Sequence, residues 1–134
     1  MSILNVEMME KMNLYMVKYA LDEEKGIRRL LQDKYLIAER RYKGDTAASD
    51  VLLDLELAIK SAYLTEKQRH VIHFLYGESQ MTQTEVANKL RVSQKQISIH
   101  LRAAIKKITK VYKTWRYNEI EMLVVVDDME CTTV

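Results

Sequence analysis

The chain has 134 residues, 48% of them hydrophobic and 30% charged, with a formal net charge of +2, which suffices for one modest helical core with an appended subdomain. Proline is absent and glycine occurs only at Gly26, Gly44 and Gly77, so few breakers interrupt helical periodicity and an all-α fold is expected over a β-rich one. The lone Cys131 excludes an intramolecular disulfide and suits a reducing cytosol. No apolar run of about 18 residues and no basic-then-apolar leader stands at the start, so a cytoplasmic protein is expected.

In chain order, the first 21 residues are apolar on nearly every side: Ile3, Leu4, Val6, Met8, Met9, Met12, Leu14, Tyr15, Met16, Val17, Tyr19, Ala20 and Leu21. As a helix this segment needs burial, and the expected cover is a second copy, so that residues 1–21 hold a homodimer together. Asp22, Glu23 and Glu24 then open a helix to about Tyr42, with Ile27, Leu30, Leu31, Tyr35, Ile37 and Ala38 as its stripe and Gly26 weakening its first turn. Gly44 and Asp45 mark the clearest break. It separates an N-terminal helical segment (1–48) from a helix-turn-helix unit (49–116), which is followed by a tail (117–134).

A helix from Ser49 or Asp50 to about Ala62 carries Val51, Leu52, Leu55, Ala58, Ile59 and Ala62 on one stripe. Three helix-start signatures follow: Thr65-Glu66-Lys67-Gln68, Thr82-Gln83-Thr84-Glu85 and Ser93-Gln94-Lys95-Gln96. In each, the hydroxyl can accept from the amide three residues on while the Glu or Gln reaches back to the cap's own amide. The first opens a helix with Val71, Ile72, Leu75 and Tyr76 inside, ended by Gly77. The other two leave room for a short helix from about Gln83 to Leu90, a turn at Arg91-Val92, and a second helix from Gln94. That is the layout of a helix-turn-helix, whose second helix enters the DNA major groove.

Charge supports the same reading. Between Val86 and Asn118 stand Lys89, Arg91, Lys95, Arg102, Lys106, Lys107, Lys110, Lys113 and Arg116 and no acid, while the other 101 residues hold 12 basic and 19 acidic groups. A solvated helix face usually mixes signs; this one concentrates the cations that duplex phosphates require. Spacing turns Val86, Ala87, Leu90, Val92, Ile97, Leu101, Ala104 and Ile108 inward. Gln94, Lys95, Ser98, Ile99 and Arg102 are left outward at the start of the recognition helix, 93–108. There Gln can bond adenine, Lys can donate to guanine, Ser is permissive and Ile can touch a thymine methyl.

The segment from Leu64 to Arg69, followed by Thr82-Gln83-Thr84-Glu85-Val86-Ala87-Asn88-Lys89-Leu90-Arg91-Val92-Ser93 and by Ile97, Leu101, Ala104 and Ile108, resembles region 4 of bacterial sigma-70-family factors. The resemblance covers roughly residues 50–112. It implies base reading by Gln94, Lys95, Ser98 and Ile99, and phosphate contacts from Thr82, Gln83, Arg91 and Arg102. Charge and position add Lys89 and Lys106 as phosphate contacts. It further implies a promoter site on double-stranded DNA and docking on RNA polymerase. The turn residue that is often Gly in that family is Arg91 here. Residues 1–48 do not resemble the promoter-melting region 2, so the layout is closer to small sigma-like regulators carried by phages and prophages.

Other readings are weaker. His70 and His73 stand three apart but have no further ligand at metal spacing. With no Ser-His-Asp or Cys-His arrangement and no glycine-rich phosphate loop, no enzyme, metal or cofactor is expected. Tyr112 and Trp115 are expected to lock the core. A small terminase-like packaging subunit and an RNA polymerase-binding co-regulator remain as alternatives, the former distinguished by assembly into a ring. In the tail, Val124, Val125 and Val126 favour a short strand, pairing with another copy or folding back on the core.

Overall fold

The computed structural model describes residues 14–42 and 46–125, and of residues 14–16, 40–42 and 123–125 the backbone alone. The expectations placed on residues 1–13, the Gly44-Asp45 turn, Val126 and Cys131 lie outside the described residues. Eight elements follow in order: strand β1 (Leu14–Ala20), helices α1 (Glu24–Gln32), α2 (Lys34–Tyr42), α3 (Thr46–Ser61), α4 (Glu66–Tyr76), α5 (Gln83–Leu90) and α6 (Gln94–Thr114), and strand β2 (Glu119–Val125). The protein is mostly helical, with one small sheet made by its two terminal strands.

The sheet corrects the expectation for the N-terminal segment. Leu14–Ala20 is a strand, not a helix, and pairs antiparallel with β2, Tyr19 opposite Ile120 and Val17 opposite Met122. A run apolar but for Lys18 does not by itself fix the periodicity, and the ladder offered by β2 decides for the strand. On the inner face Tyr19 and Met122 are buried; on the outer face Lys18 and Glu121 form an exposed ion pair at 3.6 Å. The tail strand is present as expected and folds back within its own chain. Tyr19 and Leu21 belong to the monomer's core, so this part of the segment proposed for dimer contact is already covered.

A second correction falls at Asp33. The helix expected to run unbroken to Tyr42 divides into α1 and α2. The Asp33 carboxylate accepts from the Tyr19 hydroxyl at 2.7 Å and lies 3.7 Å from Arg29 Nε, while its backbone leaves the helical region (φ −91°, ψ 6°). An acid held by a tertiary partner takes the break at little cost because Ile37 still donates to its carbonyl.

Helix α6 is the central post. Helices α1, α3, α4 and α5 all pack on it, burying Ile97, Leu101, Ala104, Ile105, Ile108, Thr109 and Tyr112. Helix α3 turns Ala48, Leu55 and Ala58 inward; Val71 and Ile72 do so from α4, and Val86 and Ala87 from α5. The expected stripe of the helix-turn-helix is thus inside at Val86, Ala87, Ile97, Leu101, Ala104 and Ile108, with Leu90 and Val92 half-buried against it, and α6 adds Ile105, Thr109 and Tyr112 because its second half is covered on a wider arc.

Tyr112, Trp115 and Tyr117 close the end of α6, with ring centroids 5.3 to 6.0 Å apart, the lock expected of the first two. Tyr117 donates to Asp54 on α3. The Tyr112 hydroxyl is buried without a hydrogen-bond partner among the described residues, and burial pushes its pKa well above the usual tyrosine value. Tyr19 is raised too, mainly by burial and then by its bond to Asp33. A phenol that resists ionisation only when folded contributes stability that is intact below about pH 10 and is lost as pH rises beyond it. Tyr112→Phe is therefore expected to leave the fold intact, raise its stability near neutrality by about 1 kcal/mol by removing an unpaired buried hydroxyl, and shallow the alkaline fall. Urea melts at pH 7 and 10.5 check this; a loss at pH 7 would reveal a partner for the hydroxyl.

Candidate nucleic-acid interface

Three N-caps position the surface. Thr65 and Thr82 each form the full reciprocal box: Thr65 Oγ1 accepts from Gln68 N at 3.2 Å and Thr65 N donates to Gln68 Oε1 at 3.0 Å; Thr82 pairs likewise with Glu85 at 3.2 and 2.8 Å. Ser93 departs from the expectation. Its Oγ accepts from Gln96 N at 3.1 Å, and the return bond from the Gln96 side chain is not among those formed, leaving that amide exposed.

Between α5 and α6 the chain reverses at Arg91, whose backbone is left-handed (φ 59°, ψ 45°), with Val92 N donating to Ala87 O at 3.0 Å. A side chain here costs about 1 kcal/mol relative to glycine. The arginine itself is exposed at the turn. Arg91→Gly is expected to raise stability by about 0.5 kcal/mol after the added entropy of the unfolded chain while making the log-log salt slope of duplex binding shallower by about one. Thermal melts and titrations at several ionic strengths separate the two; a drop in stability would mean that the arginine makes a compensating contact.

Gln83 from the start of α5 and Gln94, Lys95, Ser98, Ile99 and Arg102 from α6 line one shallow open concavity. These are the four expected base readers with two of the expected phosphate contacts. Ile99 is 51% exposed there, an apolar group among polar ones. Thr82 adjoins Gln83 at the cap; because its oxygen serves the cap as acceptor, its hydroxyl proton is still free to be donated. Lys106 lies farther along the exposed side of α6. Lys89 is held away from the concavity, its Nζ 5.3 Å from the centre of the Phe74 ring.

One member of the basic run points elsewhere. Lys107 Nζ donates to Gln68 Oε1 at 2.9 Å, tying α6 to the cap of α4. The same Gln68 oxygen thus serves the capping box and the lysine, a tertiary use that no count of charge could show. The other eight cations are exposed, and Lys110 and Lys113 continue past residue 108 because α6 runs to Thr114.

His70 and His73 are exposed and flank Phe74, with centroids 6.2 and 5.2 Å away. Among the described residues no group of three or more His, Cys, Asp or Glu is placed to hold a metal ion, and no helix is long and apolar enough to cross a membrane.

A short capped helix, a tight left-handed turn and a longer helix exposing polar and basic residues at its start define a helix-turn-helix DNA-binding module. Residues 62–110 match the family model "Sigma-70, region 4", so this stretch, under half of the 134-residue chain, is similar to region 4, and the likeness points to DNA binding in transcription. Neither the curated proteins nor the solved structures contain a match to the chain.

Proposed function

We propose that the protein is a sequence-specific, sigma-like transcription regulator that binds promoter DNA through the recognition helix 93–108. In this reading Gln94, Lys95, Ser98 and Ile99 contact base edges. Thr82, Gln83, Lys89, Arg91, Arg102 and Lys106 contact phosphates, with Lys89 leaving Phe74 to do so. The observation that carries it is the concavity where Gln83 meets Gln94, Lys95, Ser98, Ile99 and Arg102, on a module of region 4 type. Residues 49–116 are the DNA-binding unit. Strands β1 and β2 and helices α1 and α2 brace it, and the absence of likeness between residues 1–48 and a promoter-melting region fits a small sigma-like regulator of phage or prophage type that works with RNA polymerase.

Selection of bound sites from random duplex DNA, with and without RNA polymerase, tests the reading. The expected result is one enriched motif with the protein alone, bound more tightly when polymerase is present. Enrichment only with polymerase would reassign the protein as a polymerase-bound co-regulator, and no enrichment under either condition would defeat the proposal.

A further inference from the structure

Helix α3 has two apolar sides. One, with Ala48, Leu55 and Ala58, is in the core. On the other, Leu53 and Leu57 are 56% and 53% exposed, with exposed Asp50 before them and exposed Lys60 after them. Positions 50, 53, 57 and 60 follow the alternating three-and-four spacing of a coiled-coil seam, so the four side chains form one line along the helix. A lone surface leucine is ordinary. Here two stand together, and Leu53 also borders a groove between α2 and α3 lined by Tyr35, Ala38, Leu52 and Ile59 together with the charged Lys34 and Glu56, which extends the patch.

Read along the line, the order is acid, leucine, leucine, base, and it is complementary to its own reverse. Turning a second copy end for end about an axis level with Leu55 sets Asp50 opposite Lys60 of the second copy, Leu53 opposite Leu57, and the same pairs again by symmetry. A parallel arrangement would instead oppose acid to acid and base to base. We propose that α3 pairs with α3 of a second copy in this antiparallel two-fold arrangement. The contact is isologous and small, so the dimer is weak in free solution. On DNA it brings two recognition helices under one two-fold axis, which favours inverted half-sites. The pairing itself does not depend on the DNA-binding reading.

The test is sedimentation equilibrium of the full chain without DNA from about 5 to about 200 μM, the range in which a small interface of this kind dissociates. The expected result is a monomer–dimer equilibrium. Asp50→Lys alone and Lys60→Asp alone should each weaken it about tenfold, because each opposes like charges at both ends. An equal mixture of the two variants should recover the dimer, since every like pair of the parents becomes an opposite pair between them. Helix dipole effects of the two changes persist in the mixture and cannot produce that recovery. Circular dichroism establishes that both variants are folded. A chain that stays monomeric leaves the seam to another protein or to its own first thirteen residues and overturns the proposal. A dimer indifferent to both changes, folded variants whose mixture stays monomeric, or a ring of many copies would overturn it as well.

Discussion

Replacing Lys95 and Arg102 together by glutamate is expected to lower affinity for duplex DNA about a thousandfold while leaving the fold unchanged. In the proposed contacts Lys95 at a base edge is worth about 1 to 3 kcal/mol and Arg102 holds a phosphate; losses of about 2 kcal/mol at each correspond to that factor. The new carboxylates then face phosphates of like sign, which pushes in the same direction. Both side chains are exposed on a helix whose opposite side, with Ile97, Leu101 and Ala104, is buried, so the thermal midpoint should move little. Single changes divide the roles further. Lys95→Ala should relax sequence choice, whereas Lys106→Ala should weaken preferred and scrambled sites alike. Fluorescence anisotropy on both kinds of duplex makes the comparison; a double variant that binds as well as the parent would remove the exposed side of α6 from the contact surface.

The largest effect on stability is expected at Gly26. In sequence it reads as a weak spot in the first turn of a helix, and alanine there would add about 1 kcal/mol of helix propensity. The structure reverses the sign. A Cβ at position 26 would stand 1.9 Å from the carbonyl oxygen of Ala20 and 2.5 and 2.7 Å from its carbonyl carbon and nitrogen. These are backbone atoms at the end of β1, paired opposite Glu119, and the Ala20 oxygen accepts from Glu23 N at 3.1 Å. Nothing flexible can yield, so the crowding outweighs the propensity gain. Gly26→Ala should cost about 3 kcal/mol, at the upper end of overpacking penalties, by prising the terminal sheet from α1. Urea denaturation measures it; a cost below about 0.5 kcal/mol would mean that the strand end shifts freely.

What could be read from the chain alone follows from the range of the interactions. The bonds at Thr65, Thr82 and Ser93 span three residues, and the inward stripe of α5 and α6 repeats within one helix, so local spacing suffices to place them. The grouping of Gln94, Lys95, Ser98, Ile99 and Arg102 is legible for the same reason. The misread features are set by partners remote in sequence. Leu14–Ala20 is a strand because of Glu119–Val125, a pairing about a hundred residues long in loop closure that periodicity cannot register. Asp33 breaks a helix for Tyr19, and Lys107 leaves the basic face for Gln68. Gly26 shows the same limit in a single residue, since its purpose is the approach of another segment.

The central claim is that the cations of α5, the turn and α6 meet a duplex backbone, and the salt dependence of binding tests it most directly. On that claim Lys89, Arg91, Arg102 and Lys106 each meet a phosphate, and each contact contributes a log-log slope of about −0.9. The observed affinity should therefore fall with a slope of about −4 or steeper between roughly 50 and 200 mM monovalent salt. An affinity that stays flat across that range would contradict the account.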